Sequence, residues 1–259
     1  MADNEKRLRL IRYLLNENPR YSEIEIPVSD EEQMRLYRSL VNVRMPGEIS
    51  EEYLKTEDEF LSSLLEEKGI VSLSDLTEAS DGLYIWQGDI TTLRVDAIVN
   101  AANSGMLGCF VPCHACIDNC IHTFSGVRLR MECDRLMKKQ GFEEPTGKAK
   151  ITPAYNLPCK YVIHTVGPIV TGFLTKKHEQ LLSDCYRSCL EKAEENGLES
   201  IAFCCISTGE FHFPNERAAE IAVETVADYK KATGSKIKVI FNVFKDKDRL
   251  IYERLLGKN

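Results

Sequence analysis

Cysteine and histidine are crowded into one short segment of the chain. Six of these residues lie between positions 109 and 122: Cys109, Cys113, His114, Cys116, Cys120 and His122. Thiolates and imidazoles are ligands that zinc prefers, and short spacings let one loop supply several of them. Chance clustering, or a redox pair formed by Cys113 and Cys116, is the alternative. No further Cys-x-x-Cys or His-x-x-x-His pattern follows, which favours three protein ligands and an open position, as in catalytic zinc sites.

Polar side chains on both sides of this segment could act on a ligand. Asp118 comes two residues after Cys116, near the start of a predicted helix. A carboxylate there could interact with the helix dipole, or it could orient or deprotonate a water beside the metal. Asn100 and Asn103 lie where a buried strand gives way to a loop, so they could turn the chain or contact a ligand. Residue type and spacing leave both interpretations open.

A second segment, ISTGEFHFP at residues 206–214, joins a predicted strand to a predicted helix. Ser207, Thr208 and Gly209 offer hydroxyl groups and a permissive backbone for a phosphate cradle built from main-chain amides. Small residues also join strands to helices in many proteins, so this pattern alone is weak. Phe244, after the last predicted strand, could stack on a base or close the core.

Strands and helices alternate from Leu83 onward. The β-rich runs are LYIWQ, AIVNA, YVIHTV, SIAFCCI and KVIFNVF, and helical stretches lie around residues 118–141, 181–197 and 214–234. This alternation predicts an α/β layered fold with a largely parallel sheet. Because ligands bind outside the carboxyl ends of the strands in such sheets, we expect the chemistry directly after AIVNA and SIAFCCI.

The first 80 residues have a different pattern, which predicts helices. EKRLRLIRYLLNE spaces its apolar residues along one face, Ser29 and Glu32 fit a capping box, and a later helical run begins after Ser50 and ends at Gly69. No nucleophiles, bases or metal ligands cluster here. We therefore predict a helical N-terminal extension over residues 1–80 and a second domain over residues 81–259.

Composition narrows the classes of function. The net charge of −7 argues against nucleic acid as a partner and weakly against anionic membranes. The N-terminus lacks the apolar region of a secretory signal, and no stretch approaches the roughly 18 apolar residues of a membrane span. We expect a cytoplasmic protein. A disulfide framework among its ten cysteines is not expected, because such frameworks usually belong to small secreted domains, and Cys204 and Cys205 should pack as small hydrophobic residues.

Five motifs, in this order along the chain, resemble those of macrodomains over residues 82–252. They are GDIT at 88–91, VDAIVNAANS at 95–104, CIDNCIH at 116–122, PAYNLPCKYVIHTVGP at 153–168 and ISTGEFHFP at 206–214. The resemblance implies a three-layer α/β/α macrodomain with a mixed, largely parallel sheet that binds ADP-ribose.

The resemblance also implies roles for individual residues. Asp89 matches the residue that accepts a hydrogen bond from the adenine amino group, Ile90 lies beside it, and Phe244 matches the aromatic residue flanking adenine. Asn103 matches the residue near the distal ribose, and Asp118 the catalytic acid of MacroD-type hydrolases. The diphosphate loop would be Ser207, Thr208, Gly209, Glu210, Phe211 and His212.

One departure from the family pattern is informative. MacroD-type members carry a glycine-rich run where this chain has GCFVPCHACID, so a diphosphate loop made only of glycine amides is not expected. The change resembles the zinc-containing macrodomains of Gram-positive bacteria, often linked to a sirtuin-type ADP-ribosyltransferase, which also carry a helical N-terminal extension. That resemblance implies zinc held by Cys109, His114 and Cys116, with Cys113 as the rival ligand on spacing alone.

The expected function is zinc-dependent hydrolysis that removes mono-ADP-ribose from modified protein side chains, acidic ones in particular. Asp118 and Asn103 would be the catalytic residues, and the partners would be ADP-ribose and a mono-ADP-ribosylated protein. Two alternatives stay open. One is a reader that binds ADP-ribose without turnover and carries a structural zinc. The other is a zinc-stabilised interaction module that uses the N-terminal helices.

Overall fold

A computed structural model of the chain describes residues 3–257. The strands in this part are β1 Val71–Ser72, β2 Glu78–Ser80, β3 Leu83–Gln87, β4 Leu93–Arg94, β5 Ala97–Ala102, β6 Ala149–Pro153, β7 Tyr161–Val166, β8 Ser200–Phe203 and β9 Lys238–Val243. The helices are α1 Asp3–Asn16, α2 Asp30–Val43, α3 Glu51–Lys68, α4 Ile117–Ser125, α5 Val127–Gln140, α6 Lys176–Glu195, α7 Asn215–Thr233 and α8 Asp246–Leu255.

Seven of these strands form one mixed sheet in the order β2-β3-β9-β8-β5-β7-β6. The five inner strands run parallel, and the edge strands β2 and β6 are antiparallel to their neighbours. Four of the inner strands, β9, β8, β5 and β7, are almost fully buried, as in a parallel sheet covered by helices. The predicted α/β fold with a mixed, largely parallel sheet and N-terminal helices is confirmed.

Strand order determines which loops meet. Since β5 lies between β8 and β7, the loops that leave β5 and β8 start side by side at the carboxyl edge of the sheet. The two loops approach each other closely, since His114 Nε2 in the first lies 3.6 Å from Glu210 Oε1 in the second. The parallel pair β3 and β9 likewise brings the segments after Gln87 and Val243 together, and Gln87 Nε2 donates to the Phe244 carbonyl at 3.2 Å.

The helical stretch predicted around residues 118–141 is two helices rather than one. Gly126 separates α4 from α5 with φ of +89°, a conformation that glycine tolerates far better than other residues. A Cβ at this position would lie 2.7 Å from Glu57 Oε2, so a neighbouring helix also occupies the space. The break leaves the backbone N–H of Val127 without a partner inside the helix. This N–H donates to Glu57 Oε2 at 3.0 Å.

The N-terminal helices α1, α2 and α3 have a hydrophobic core of their own, to which Val127 of α5 also belongs. Helices α2 and α3 begin at the predicted caps, since Ser29 accepts from the Glu32 N–H at 3.3 Å and Ser50 from the Tyr53 N–H at 3.1 Å. The predicted capping box is incomplete, because the Glu32 side chain accepts from Ser29 Oγ at 2.7 Å rather than from the Ser29 N–H. The domain boundary near residue 80 stays a prediction. Residues 78–80 already pair with β3 as an edge strand.

All ten cysteines lie within the described residues, and none of them forms a disulfide bond. Cys204 is buried and Cys205 is half-buried, and both follow the end of β8 rather than continuing it. None of the helices between residues 3 and 257 combines the length and the apolar character that a membrane-spanning segment requires.

Candidate functional site

Three of the clustered residues bring their ligand atoms together. Those of Cys109, His114 and Cys116 all lie within 4.8 Å of one another, and Cys109 Sγ is 3.7 Å from His114 Nδ1. Cys116 also caps α4, since its Sγ accepts from the Asn119 N–H at 3.4 Å. Two thiols and an imidazole at this separation form a donor set that suits a tetrahedral zinc ion with one position left open.

Cys113, the rival ligand, is directed away from this group. Its Sγ lies 3.3 Å from the Arg35 carbonyl and 3.2 Å from Ser39 Oγ, both on α2. Its backbone has φ of +54° and its N–H donates to Asn42 Oδ1 at 2.9 Å. Left-handed backbone in a residue other than glycine is uncommon, and here three contacts with α2 hold it in place.

Helix α2 also holds the cysteine-rich loop from outside. Arg38 donates from Nη2 to the His114 carbonyl at 2.7 Å and to Asn119 Oδ1 at 2.8 Å. Asn119 in turn donates from Nδ2 to the Val111 carbonyl at 3.0 Å. Arg38 and Asn119 therefore connect the loop, α4 and the N-terminal extension. The role of Arg38 was not foreseen, because this residue lies in a region of the sequence without apparent ligand chemistry.

Asp118 is buried, with 5% of its surface exposed, in the first turn of α4. Its two oxygens are held by different side-chain amides, Oδ1 by Asn100 Nδ2 at 2.8 Å and Oδ2 by Asn103 Nδ2 at 3.4 Å. Burial raises the pKa of this carboxyl to about 6, against the hydrogen bond from Asn100 and the charge of Arg130. A carboxyl with a pKa near neutrality suits proton transfer.

The two asparagines occupy different environments. Asn100 is fully buried inside β5 and does not turn the chain, so the turn interpretation is wrong for it. Asn103 does make a turn, since its Oδ1 accepts from the Gly105 N–H at 3.0 Å. Its Nδ2 contacts the Gly108 carbonyl at 3.1 Å as well as Asp118, so the same residue lies beside the carboxylate.

The loop of residues 207–212 folds back on itself. Ser207 and His212 both have positive φ, at 64° and 55°, and the Phe213 N–H donates to the Ser207 carbonyl at 2.9 Å. The backbone N–H groups of Gly209, Glu210 and Phe211 donate no hydrogen bond to any residue between 3 and 257. Free main-chain N–H groups in a tight loop can bind an anion.

The side chains of this loop differ in their surroundings. Ser207 is buried, and its Oγ packs closely against Gly167. A Cβ on residue 167 would lie 2.0 Å from this Oγ, so only glycine fits there. Thr208 Oγ1 donates to the Cys205 carbonyl at 2.9 Å. The Thr208 hydroxyl therefore shapes the loop, whereas the buried Ser207 Oγ has no hydrogen-bond partner among the described residues.

Asp89, Ile90 and Phe244 lie at the far end of the same sheet edge. Asp89 Oδ1 accepts from the Thr91 N–H at 3.0 Å, and its Oδ2 is 2.9 Å from Lys68 Nζ on α3. Burial opposes ionisation of Asp89, but hydrogen bonds from Thr91 and Lys68 lower its pKa below the usual range. Phe244 is 76% exposed, so its ring is open to a ligand and does not close the core. Lys68 was not foreseen from the sequence.

Comparison with known proteins gives the same family throughout. The sequence model of the Macro domain family matches residues 99–222. A protein named protein-ADP-ribose hydrolase from Treponema medium is 57% identical and covers 99% of this chain and 100% of its own length. One of the same name from Staphylococcus aureus (strain MSSA476) is 48% identical over 96% of both chains. The solved Trypanosoma brucei macrodomain in complex with ADP-ribose has a TM-score of 0.66 and 29% identity, covering 85% of this chain and 95% of that one.

Proposed function

Because this chain belongs to the macro domain family, we propose that it is a zinc-dependent hydrolase that removes mono-ADP-ribose from modified acidic side chains of proteins. The observation that carries the proposal is the position of Asp118. Its carboxylate is buried and held by two amides, and it lies two residues along α4 from Cys116, a member of the Cys/His group. The names of the Treponema medium and Staphylococcus aureus relatives support the same activity.

The remaining predicted residues form a binding track along the carboxyl edge of the sheet. Asp89 and the exposed ring of Phe244 would receive the adenine, with the backbone of Ile90 beside them, since the Ile90 side chain is buried in the core. The free amides of residues 209–211 would bind the diphosphate, and Asn103 would contact the distal ribose. Binding energy from the remote ADP part would then orient the scissile bond at Asp118. The Trypanosoma brucei macrodomain, which was solved with ADP-ribose, supports this ligand.

Cys109, His114 and Cys116 would hold the zinc, and the chain would belong to the zinc-containing, sirtuin-linked branch of macrodomains. When bound, zinc supplies a Lewis acid that polarises an oxygen or lowers the pKa of water toward about 7. Asp118 would accept a proton from the attacking water, whose oxygen would bond to the ribose carbon as the bond from that carbon to the side-chain carboxylate breaks, so that ADP-ribose and the free carboxylate are the products. Asn103 would orient both that carboxylate and a ribose hydroxyl, because its Nδ2 faces Asp118 Oδ2.

The N-terminal extension would serve this site rather than form a separate functional unit. Arg38 of α2 contacts the cysteine-rich loop, and Lys68 of α3 contacts Asp89 at the proposed adenine end. Both ends of the binding track therefore have a cation from the extension beside them. These contacts support the proposed role of the N-terminal extension, which is to hold the loops of the site in position.

The test uses a protein that carries mono-ADP-ribose on acidic side chains. Free ADP-ribose is quantified by chromatography after incubation with the purified protein, with chelator-treated protein and with zinc-restored protein. We expect release by the first and third samples. Asp118→Asn should lower kcat by about 10²- to 10⁴-fold, the contribution of a positioned acid or base, while the Kd for ADP-ribose stays within a few-fold.

Two results would count against the proposal. Tight binding of ADP-ribose by the zinc-loaded protein, without release from the modified substrate, would identify a reader. Undiminished release after complete removal of the metal would leave a hydrolase in which zinc has no catalytic role.

A further inference from the structure

A row of buried polar side chains lies behind Asp118. Asn100 on β5 and His164 on β7 are paired in register on neighbouring parallel strands, and both are fully buried. Asn100 Nδ2 lies 2.8 Å from Asp118 Oδ1 and 3.1 Å from His164 Nδ1. The amide of Asn100 thus joins the imidazole to the carboxylate.

The partners of this row decide which imidazole nitrogen carries the proton. The Asn100 amide has two N–H groups, and Asp118 accepts one of them. The other is directed at His164 Nδ1, which must then be the unprotonated acceptor. The proton is therefore on Nε2, which lies 3.0 Å from Thr152 Oγ1. Burial lowers the pKa of His164 to about 3, so the ring is neutral at the pH of an assay.

The same partners fix the orientation of the Asn100 amide. Its Oδ1 is buried and has no hydrogen-bond partner among the described residues. A flipped amide would turn this oxygen toward the Asp118 carboxylate, which accepts hydrogen bonds whatever the tautomer of His164. Because Asp118 Oδ1 and His164 Nδ1 both accept hydrogen bonds from Nδ2, they favour the orientation in which the two N–H groups of Asn100 face them. Without the His164 acceptor, one N–H would be left buried and unpaired, which destabilises this orientation.

We propose that His164 is a positioning residue for Asp118, acting through Asn100. By accepting from Asn100 it keeps the amide turned so that Asp118 Oδ1 is bound and Oδ2 faces Asn103 and the ribose site. The inference rests on the proposed function, because that function makes Asp118 catalytic. It adds a residue that touches neither substrate nor the proposed metal.

A second metal site is the rival explanation of this region. The ligand atoms of His122, Cys133 and His164 also lie within 4.8 Å of one another, and all three residues are buried. Two observations favour the positioning role. Both ring nitrogens of His164 already have protein partners. Arg130, one of the groups whose charge lowers the pKa of His122, already brings a positive charge close to this group, although both ring nitrogens of His122 lack a partner among the described residues.

Two substitutions by polar, uncharged amides separate the roles of the two ring nitrogens of His164. His164→Asn puts an amide oxygen close to the position of Nδ1 and keeps an acceptor for Asn100. His164→Gln puts its amide near Nε2, so it keeps a partner for Thr152 but loses the acceptor. We expect His164→Gln to lower kcat about tenfold, because the free energy of one hydrogen bond corresponds to about that factor in a rate. KM and the Kd for ADP-ribose should be unchanged. His164→Asn should stay within about twofold of the wild type, since the acceptor is kept.

Equal losses in the two variants, or a loss confined to His164→Asn, would overturn the proposal. Zinc content gives a further readout: the proposal expects one equivalent in all three proteins. Two equivalents in the wild type, with one lost in both variants, would identify a second metal site instead.

A measurement on the wild type keeps the inference testable if either variant fails to fold. Long-range ¹H–¹⁵N spectra should show His164 neutral, with Nδ1 unprotonated and Nε2 protonated. The opposite tautomer, or a charged ring near pH 7, would overturn the proposal. These spectra need no turnover, so a wild type that releases no ADP-ribose would refute the hydrolase while leaving this result readable.

Discussion

Cys113 and Cys116 are the same residue type three positions apart, yet their side chains have different surroundings. The thiol of Cys116 lies with Cys109 and His114, whereas that of Cys113 contacts the Arg35 carbonyl on α2. Spacing alone permitted either residue as the third ligand. The direction of a side chain in a loop depends on what packs against the loop, and here helix α2 provides that contact.

This difference predicts the zinc content of two matched variants. Cys116→Ala removes a proposed ligand and should lose the metal, while Cys113→Ala should keep about one equivalent because it removes only contacts with α2. Elemental analysis of both proteins after dialysis gives the answer. Loss of zinc from Cys113→Ala, with retention in Cys116→Ala, would reverse the ligand assignment.

At the scale of elements, α2 is the support of the cysteine-rich loop. Arg38 donates to the His114 carbonyl and to Asn119, and Asn42 accepts from the Cys113 N–H. Groups that orient metal ligands contribute to metal affinity although they do not touch the metal. A helix remote in sequence therefore takes part in forming the proposed zinc site.

Arg38→Ala should weaken zinc binding by about 10- to 100-fold, the range found for groups that orient ligands. Arg35→Ala is the matched control. Arg35 lies one turn earlier on α2, its side chain is exposed, and only its backbone carbonyl contacts the loop. Competition with a chromophoric chelator measures both affinities. Equal affinities in the two variants would show that α2 does not support the zinc site.

The elements themselves were predicted unevenly from the sequence. LYIWQ and YVIHTV coincide with β3 and β7, because a buried parallel strand is a nearly continuous apolar run. The break between α4 and α5 was missed, since a lone Gly126 inside a helical pattern does not by itself indicate a boundary. The short edge strands β2 and β6 were also missed, and edge strands have weaker apolar patterns.

At the scale of the whole molecule, Glu57 joins the extension to the rest of the protein. It is fully buried on α3 and accepts from the hydroxyls of Tyr37 and Tyr53, each at 3.2 Å, and from the Val127 N–H at 3.0 Å. Burial raises the pKa of this carboxyl to about 7, although these three hydrogen bonds lower it. A carboxyl with such a pKa makes the stability of the chain depend on pH.

The sign of that dependence follows from the two pKa values. Glu57 has a pKa of about 7 in the folded chain against an ordinary value of 4.5, so the folded chain binds its proton more tightly. The free energy of unfolding should therefore fall as pH rises between these values. The whole shift corresponds to on the order of 3 kcal/mol.

Glu57→Gln has no charge to bury, so its stability should decline less than that of the wild type between pH 5 and pH 8. Urea unfolding at the two pH values measures the difference. Glu59→Gln, at an exposed position on the same helix, should behave like the wild type. The same decline in Glu57→Gln and Glu59→Gln would show that Glu57 does not cause it.

The sequence by itself determined the α/β fold, the capped N-terminal helices and the two loops in which ligand chemistry was expected. These features depend on apolar periodicity, on capping residues and on motif order, all of which are local. Only the tertiary structure brought His164 beside Asn100, Arg38 onto the cysteine-rich loop and Lys68 to Asp89. Such contacts join residues far apart in the chain, so they depend on strand register and helix packing, which no single segment encodes.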